Sequence, residues 1–450
     1  MNFSNRAANS ETLFPITSWQ GLMIHTALDE RTVRSYHQLM TLRLGFRVTS
    51  GMNERRLKRG FEKLVARHDS LRLQFVQLGE KWRAKILPEH LLGLLVEDLS
   101  TLSKADQDAA LLEIANRPMT ALSESLFELR LVKCGVAGDV VLIKAHHSIV
   151  DAYGLMILIE DLLAFSLNVP VLKKAVSHGE FIGMRQADIE QARMATDTYW
   201  RERLIPPPPE PNVGRVSKGL PVASARNNGA HTKLKNVLTS EQSARLQQLS
   251  NQQGISAFCF LHAAFSEVIC EIAGQDEVLV GSVLGRNDAC FSTFLGAEMQ
   301  DFIVRFKHGH KGLFESAKAV QSDILAASEY LPTDLFYAME SDVAKMVKKI
   351  DTHSYRFFVH NKAPVGRSAS TPLRQLFSTG LVGKFSMGFV TVEMVDLPVG
   401  VGNAEIFVSV TEADGAPNAG LSSNDTAFSQ EDLQDIAERM ASKLDAVFDG

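Results

Sequence analysis

Apolar residues recur along this 450-residue chain at two spacings, and the switches between them mark out its elements. From Leu39 to Val48, apolar and polar positions mix as they do in a strand. Asn53 then stands where a helix cap belongs, ahead of an apolar stripe made by Leu57, Phe61, Leu64 and Val65. Two extended stretches, Leu71 to Val76 and Trp82 to Leu87, flank Leu78-Gly79-Glu80 and predict a hairpin. The run from Asp139 to His147 is rich in β-branched residues and predicts a buried strand. An apolar helix follows, carried by Leu155, Met156, Ile159, Leu162 and Leu163, and then a polar helix around Asp188 to Arg203.

The pattern breaks at Pro206-Pro207-Pro208-Pro209-Glu210-Pro211, a stiff and extended linker. It restarts at Thr239, whose spacing to Gln242 predicts a capping box on a helix ending near Gly254. A second helix, Ile255 to Ala273, leads into a strand from Val278 to Val283. Beyond it the pattern predicts a helix from Leu313 to Ser328 and strands at Tyr355 to Val359, Lys384 to Met394 and Ala404 to Thr411. A final amphipathic helix runs from Gln430 to Val447. The expectation is an α/β protein of two lobes, each a mixed sheet flanked by helices, facing each other across a cleft. Residues 1–180 would form the N-terminal lobe, 181–215 a helix and the Pro-rich linker, and 216–450 the C-terminal lobe.

Composition narrows the function. With 45% hydrophobic and 22% charged residues the chain is an ordinary globular protein, and its length favours more than one core. The net charge of -5, with no long basic run, argues against a nucleic-acid partner. Cys134, Cys259, Cys270 and Cys290 form no CxxC pair and read as reduced thiols. The N-terminus lacks the basic-then-apolar layout of a signal peptide. The longest apolar stretch, Ile255 to Ile272, is interrupted by His262 and Glu267, so no membrane span is expected. A cytoplasmic location follows as the expectation.

The chemistry centres on HHSIVDAYG, residues 146–154. His-His-x-x-x-Asp arises by chance in roughly one chain in a hundred of this length. Neighbouring side chains on a strand face opposite ways, so His147 shares a face with Val141, Ile143 and Ala145, and His146 with Val140 and Leu142. One histidine can therefore reach a cleft while the other packs inside. Divergent histidines without a third ligand make a metal site a poor reading. Asp151 also suits the N-cap of the helix that begins near Ala152, and a satisfied core histidine is a third possibility.

The same nine residues resemble the HHxxxDG motif of nonribosomal-peptide condensation domains, within the wider acyltransferase superfamily of that motif. Further landmarks agree, in order. Phe14-Pro-Ile-Thr-Ser-Trp-Gln-Gly21 resembles LSxAQxG, and Phe61-Glu-Lys-Leu-Val-Ala-Arg-His-Asp-Ser-Leu-Arg72 resembles ALxxLVxRHExLRT. Tyr199-Trp-Arg-Glu-Arg-Leu204 matches YWxxxL, and Val280-Gly-Ser-Val-Leu-Gly-Arg286 is similar to VGTPVAGR. Leu295 to Arg305 resembles IGxFVNTLPLR, Tyr330-Leu-Pro-Thr-Asp334 stands where HQDLPFE is expected, and Asn424 to Phe428 resembles YNTDLF.

The resemblance implies two chloramphenicol-acetyltransferase-like lobes around a central tunnel. It implies that His147 is catalytic, that His146 is structural, and that Asp151 pairs with Arg286 to order the loop. Ala152, Tyr153 and Gly154 become candidates for lining the donor tunnel, the helix amides there for stabilising an oxyanion. The implied reaction moves an acyl or peptidyl group from a phosphopantetheine thioester to an amine or hydroxyl. No metal and no permanent cofactor are expected, since 4′-phosphopantetheine arrives on a carrier protein in trans, or on CoA. The acceptor is a small molecule or is itself carrier-bound. Met1 and coverage of the family's span predict a stand-alone protein.

Two departures stand out. Ala152 replaces the glycine of HHxxxDG, and Glu298-Met299-Gln300 replaces the FVN core. The heterocyclising DxxxxDxxS pattern and the epimerising EGHGR segment are absent from the sequence. A CoA-dependent O- or N-acyltransferase, and a catalytically silent docking or gatekeeping protein, are the alternatives.

Overall fold

A computed structural model describes residues 13–29, 37–38, 40–48, 53–209, 231–234, 236–284, 292–297, 300–330, 356–360, 384–387, 390–397, 406–413, 416–424 and 428–448. The strands of the first half are β1 (Leu13–Pro15), β2 (Thr41–Val48), β3 (Leu73–Leu78), β4 (Lys81–Ile86), β5 (Leu95–Asp98), β6 (Phe127–Lys133) and β7 (Asp139–His146). Those of the second half are β8 (His231–Leu234), β9 (Glu277–Leu284), β10 (Gln300–Lys307), β11 (Arg356–His360), β12 (Lys384–Met387), β13 (Val390–Val395), β14 (Ile406–Ala413) and β15 (Ala416–Asn424). The longer helices are α1 (Ser18–Leu28), α2 (Glu54–Arg67), α3 (Lys104–Asn116), α4 (Ala152–Ser166) and α5 (His178–Leu204). They continue as α6 (Ser240–Gln253), α7 (Ala257–Ala273), α8 (Leu313–Ser328) and α9 (Gln430–Phe448).

Among the described residues, one six-stranded sheet has the order β12-β13-β2-β7-β6-β5 and another the order β10-β9-β11-β14-β15-β8. Strands β1, β4 and β3 make a small third sheet. β7 is an inner strand of the first sheet and is buried on both faces. Val141, Ile143 and Ala145 enter the main apolar cluster of this lobe, while Val140 and Leu142 enter two smaller ones. Burial on both faces is why its sequence is almost continuously apolar. Pairing Thr41 with His146 and Phe127 with Ala145 places the histidine pair at the strand's end.

Helices α2 and α4 cover this sheet at very close approach. A Cβ on Gly60 would lie 2.3 Å from Ser166 Oγ and 2.8 Å from Ser166 N, so glycine is required there. Asn53 caps α2 by accepting from Arg56 N, and the expected stripe of Leu57, Phe61, Leu64 and Val65 is buried. Farther along, Asp161 of α4 accepts a 3.0 Å hydrogen bond from Arg67 Nε and lies 2.7 Å from His68 Nε2. The expected hairpin forms through Gly79, whose φ of 60° is open to glycine at no steric cost. Around α7, residues from α5, α6, α8, α9 and the second sheet build the other large core.

Two expectations need correction. The polar helix begins ten residues before Asp188, at His178, because Ser177 and Glu180 form a capping box there. Nor does the Pro-rich segment separate the two sheets. The Lys384–Met394 stretch, assigned to the 216–450 lobe, contributes β12 and β13 to the first sheet, with Val392 opposite Val48 and Val395 opposite Gly45. The physical reason is the open edge of β2 and the apolar cluster that buries Val392. Helix α5 joins two clusters: Phe181 and Ile182 form a small one with Phe294 near its start, and Trp200 and Leu204 join the α7 core at its end. At 27 residues it is about 40 Å long. Cys134, Cys259 and Cys270 are buried free thiols, and no single described helix is long and apolar enough to cross a membrane.

Phe61 is 1% exposed and its ring stacks on Phe127 at 5.9 Å. Phe61→Ala is expected to cost about 3–5 kcal/mol in urea unfolding; a loss below 1 kcal/mol would contradict this packing. Burial also lowers the pKa of three histidines, His146 and His262 to about 3 and His178 to about 4. Because the unfolded chain binds these protons more readily, stability is full above about pH 6.5 and is lost as the pH falls through 4 toward about 3. The unfolding free energy from urea titrations should therefore drop steadily across that window, by up to about 1.4 kcal/mol per histidine per pH unit. A flat profile would show that these rings are not buried neutral.

Candidate active site

The site is a short loop between β7 and α4. β7 ends at His146, so His147 is the first residue past the strand and is partly exposed as a residue, while His146 is 1% exposed. Three hydrogen bonds hold His147. Its backbone N donates to Met40 O at 2.7 Å, its backbone O accepts from Trp19 Nε1 at 2.8 Å, and its ring Nδ1 lies 2.9 Å from Val150 O. A carbonyl oxygen can only accept, so Nδ1 must carry the proton. Nε2 then holds a free lone pair, and no described residue bonds to it. Burial pulls the His147 pKa below its ordinary value, opposed by the Asp151 carboxylate and by the backbone hydrogen bonds.

His146 carries the opposite tautomer. Its Nδ1 accepts from Ser148 N at 3.2 Å and lies 2.7 Å from Ser148 Oγ, so its proton is on Nε2. Its backbone N donates to Leu126 O at 2.8 Å. The two adjacent rings are therefore chemically different: one is enclosed with its Nδ1 taken up by Ser148, the other presents a lone pair at Nε2.

Asp151 is buried and caps α4, its Oδ1 accepting from Gly154 N at 2.7 Å. That bond occupies the Gly154 amide, which corrects the expectation that this amide is available to an oxyanion. Gly154 serves packing instead. A Cβ there would meet Val150 Cγ2 at 2.9 Å and the backbone O of Gly296 at 3.1 Å, so the first turn of α4 touches the 292–297 segment directly. Tyr153 Oη lies 3.5 Å from Ser292 O on that segment. Ala152 is the first residue of α4. Arg286, the expected partner of Asp151, and Cys290, Glu298 and Met299 lie outside the described residues, as do 331–334 and 425–427 of the family landmarks.

Residues that the motif alone does not single out complete the site. Trp19 bonds the His147 carbonyl and sets its indole at 73° to the imidazole with centroids 5.2 Å apart. Gln20 donates from Nε2 to Ser148 O at 3.3 Å and closes the capping box on Thr17. Both lie on α1, which the sequence marked only as a family landmark. The Met40 and Leu126 carbonyls carry no sequence signal at all, since any residue supplies a backbone oxygen. Among the described residues no group of three His, Cys, Asp or Glu side chains is placed to hold a metal ion.

Comparison with known proteins follows the same lines. Malpibaldin synthetase of Mortierella alpina is 26% identical over 367 residues, which is 78% of this chain but 6% of that protein. The chain thus spans only a small part of the curated relatives it matches. The EpoB cyclization-docking bidomain of Sorangium cellulosum superposes with a TM-score of 0.75 at 19% identity, over 97% of this chain and 85% of that one. SgcC5 of Streptomyces globisporus, in complex with (R)-(-)-1-(2-naphthyl)-1,2-ethanediol and sucrose, superposes with a TM-score of 0.70 at 19% identity, over 97% and 98%. At these identities the superpositions show the fold alone, the chloramphenicol-acetyltransferase-like arrangement. The family itself is shown by the sequence match over residues 10–450: this chain belongs to the Condensation domain family.

Proposed function

We propose that this chain is a condensation-type acyltransferase in which His147 moves the proton. The observation that carries the reading is the Nδ1–H bond to Val150 O, which leaves Nε2 as a base with no partner among the described residues, on a residue that is partly exposed. An acyl group on a phosphopantetheine thioester is already activated, so the protein has to align a nucleophile and manage one proton. The amine or hydroxyl attacks the thioester carbonyl carbon and gives its proton to His147 Nε2. The tetrahedral intermediate then collapses with cleavage of the C–S bond, and the imidazolium returns the proton to the departing sulfur. An amide or ester and a free phosphopantetheine thiol result. His146, Asp151 and Arg286 keep structural roles in this reading, with Asp151 holding the start of α4.

The donor arm comes from a carrier protein, or from CoA, and the acceptor is a small molecule or a second carrier-bound group. The aromatic diol in the SgcC5 complex supports a hydroxyl-bearing small molecule as one such acceptor. Ala152 in place of the motif glycine favours the silent docking protein as the second reading.

Intact-protein mass spectrometry of acyl-loaded carrier protein, incubated with this chain and a panel of amines and alcohols, separates the two. Wild type should strip the acyl mass and yield a matching product, and His147→Ala should slow this by about 10²–10⁴-fold. A carrier that stays loaded, or a His147→Ala rate equal to wild type, would place the docking reading ahead. The pH dependence is a separate check. Because burial depresses the His147 pKa, kcat/KM with a hydroxyl acceptor, which does not itself titrate here, should stay level from pH 8 to 6.5 and fall only below that, as the base is protonated. An acid limb with its midpoint above 7 would contradict a buried neutral base.

A further inference from the structure

We propose that Trp19 is a positioning residue for His147, fixing the backbone from which the imidazole projects. This inference rests on His147 acting as the base, and its test does not depend on that.

Of the three bonds that hold His147, two run to backbone carbonyls, Met40 O and Val150 O, which no substitution removes. The third is the Trp19 Nε1–H bond to the His147 carbonyl at 2.8 Å, the one made by a side chain. Its neighbour Gln20 repeats the device one residue on, at Ser148 O, over a longer 3.3 Å. Helix α1 thus grips two successive carbonyls of the catalytic loop from outside it.

Two further observations bear on how Trp19 holds the site, one local and one through the cores. Its ring meets the imidazole nearly edge-on, at 73° and 5.2 Å, so rotation of either ring away from its present angle loses an aromatic contact. It also packs against both large apolar clusters, as does Leu22 one turn along. The indole therefore relays the placement of both lobes to one carbonyl of the loop. The motif LSxAQxG, aligned on Thr17 and Gln20, has alanine where this chain has Trp19. Alanine has no donor and no ring, so this anchor is a feature of this sequence rather than of the motif.

Trp19→Phe keeps an aromatic edge and loses the donor; Trp19→Ala loses both. With carrier-bound donor, kcat should fall on the order of tenfold for Trp19→Phe and up to a hundredfold for Trp19→Ala. The KM for the loaded carrier should stay within about twofold, because a looser base is felt in the chemical step. An activity-independent reading comes from the His147 Cε1–H resonance of the full chain, assigned by its loss in His147→Ala. In wild type it should titrate below 6.5, and in both variants the midpoint should move upward as the ring gains solvent. Unchanged titration with unchanged kcat, or a loss confined to KM, overturns the proposal. If Trp19→Ala does not fold, Trp19→Phe decides alone, its ring filling most of the same space. Should wild type transfer no acyl group to any acceptor, the proposed function fails, and the resonance still decides the role of Trp19.

Discussion

The Nδ1–H bond from His147 to Val150 O is the constraint on which the site depends. It joins a ring to a carbonyl three residues later, so it exists only if the loop doubles back before α4 begins. That return is set by Asp151, whose extended backbone and cap on Gly154 N start the helix at Ala152, two residues after Val150. It is set also by Ser148, which turns inward to the His146 ring and pulls the chain off the strand direction. One bond therefore reports the whole loop. With it, an imidazole that could carry its proton on either nitrogen presents a lone pair at Nε2.

The loop is held from both halves of the chain. α1 reaches it with Trp19 and Gln20, β2 is paired beside it, and Met40 just before that strand accepts from the His147 amide. From the second half, the Gly296 backbone lies against Gly154, where a Cβ would fall 3.1 Å from Gly296 O; Gly296 in turn has no room for a Cβ beside the Phe294 ring, 2.1 Å away. β12 and β13 add to the first sheet from the same half. Parts of both halves are thus interleaved around the loop, and a change in either one reaches the histidine through packed contacts rather than through a linker.

Much of this was legible in the residues. Alternation along Val140–His146 sorted the side chains correctly, because a strand buried on both faces still obeys its two-residue period. The capping residues Asn53, Thr239 and Asp151 and the αL stop at Gly254 carry local signals, and each is where the pattern put it. What escaped is what local signals cannot carry. The crossing of β12 and β13 into the first sheet is a long-range pairing, and a strand pattern does not name its partner. Met40 and Leu126 act through backbone oxygens, which leave no trace in residue type. Trp19 was visible as a landmark, yet its bond to His147 spans 128 residues. The start of α5 was missed because only the Ser177-to-Glu180 spacing of its capping box marks it, ten residues ahead of the polar stretch around Asp188.

The most direct test of the account is the nitrogen spectrum of the His147 ring, taken at neutral pH on the full chain with labelled histidine. A single neutral tautomer, with Nδ1 protonated and Nε2 showing the shift of an unprotonated ring nitrogen, is the predicted result. A proton on Nε2, or shifts averaged between the two forms, would contradict it and remove the base on which the proposed reaction stands.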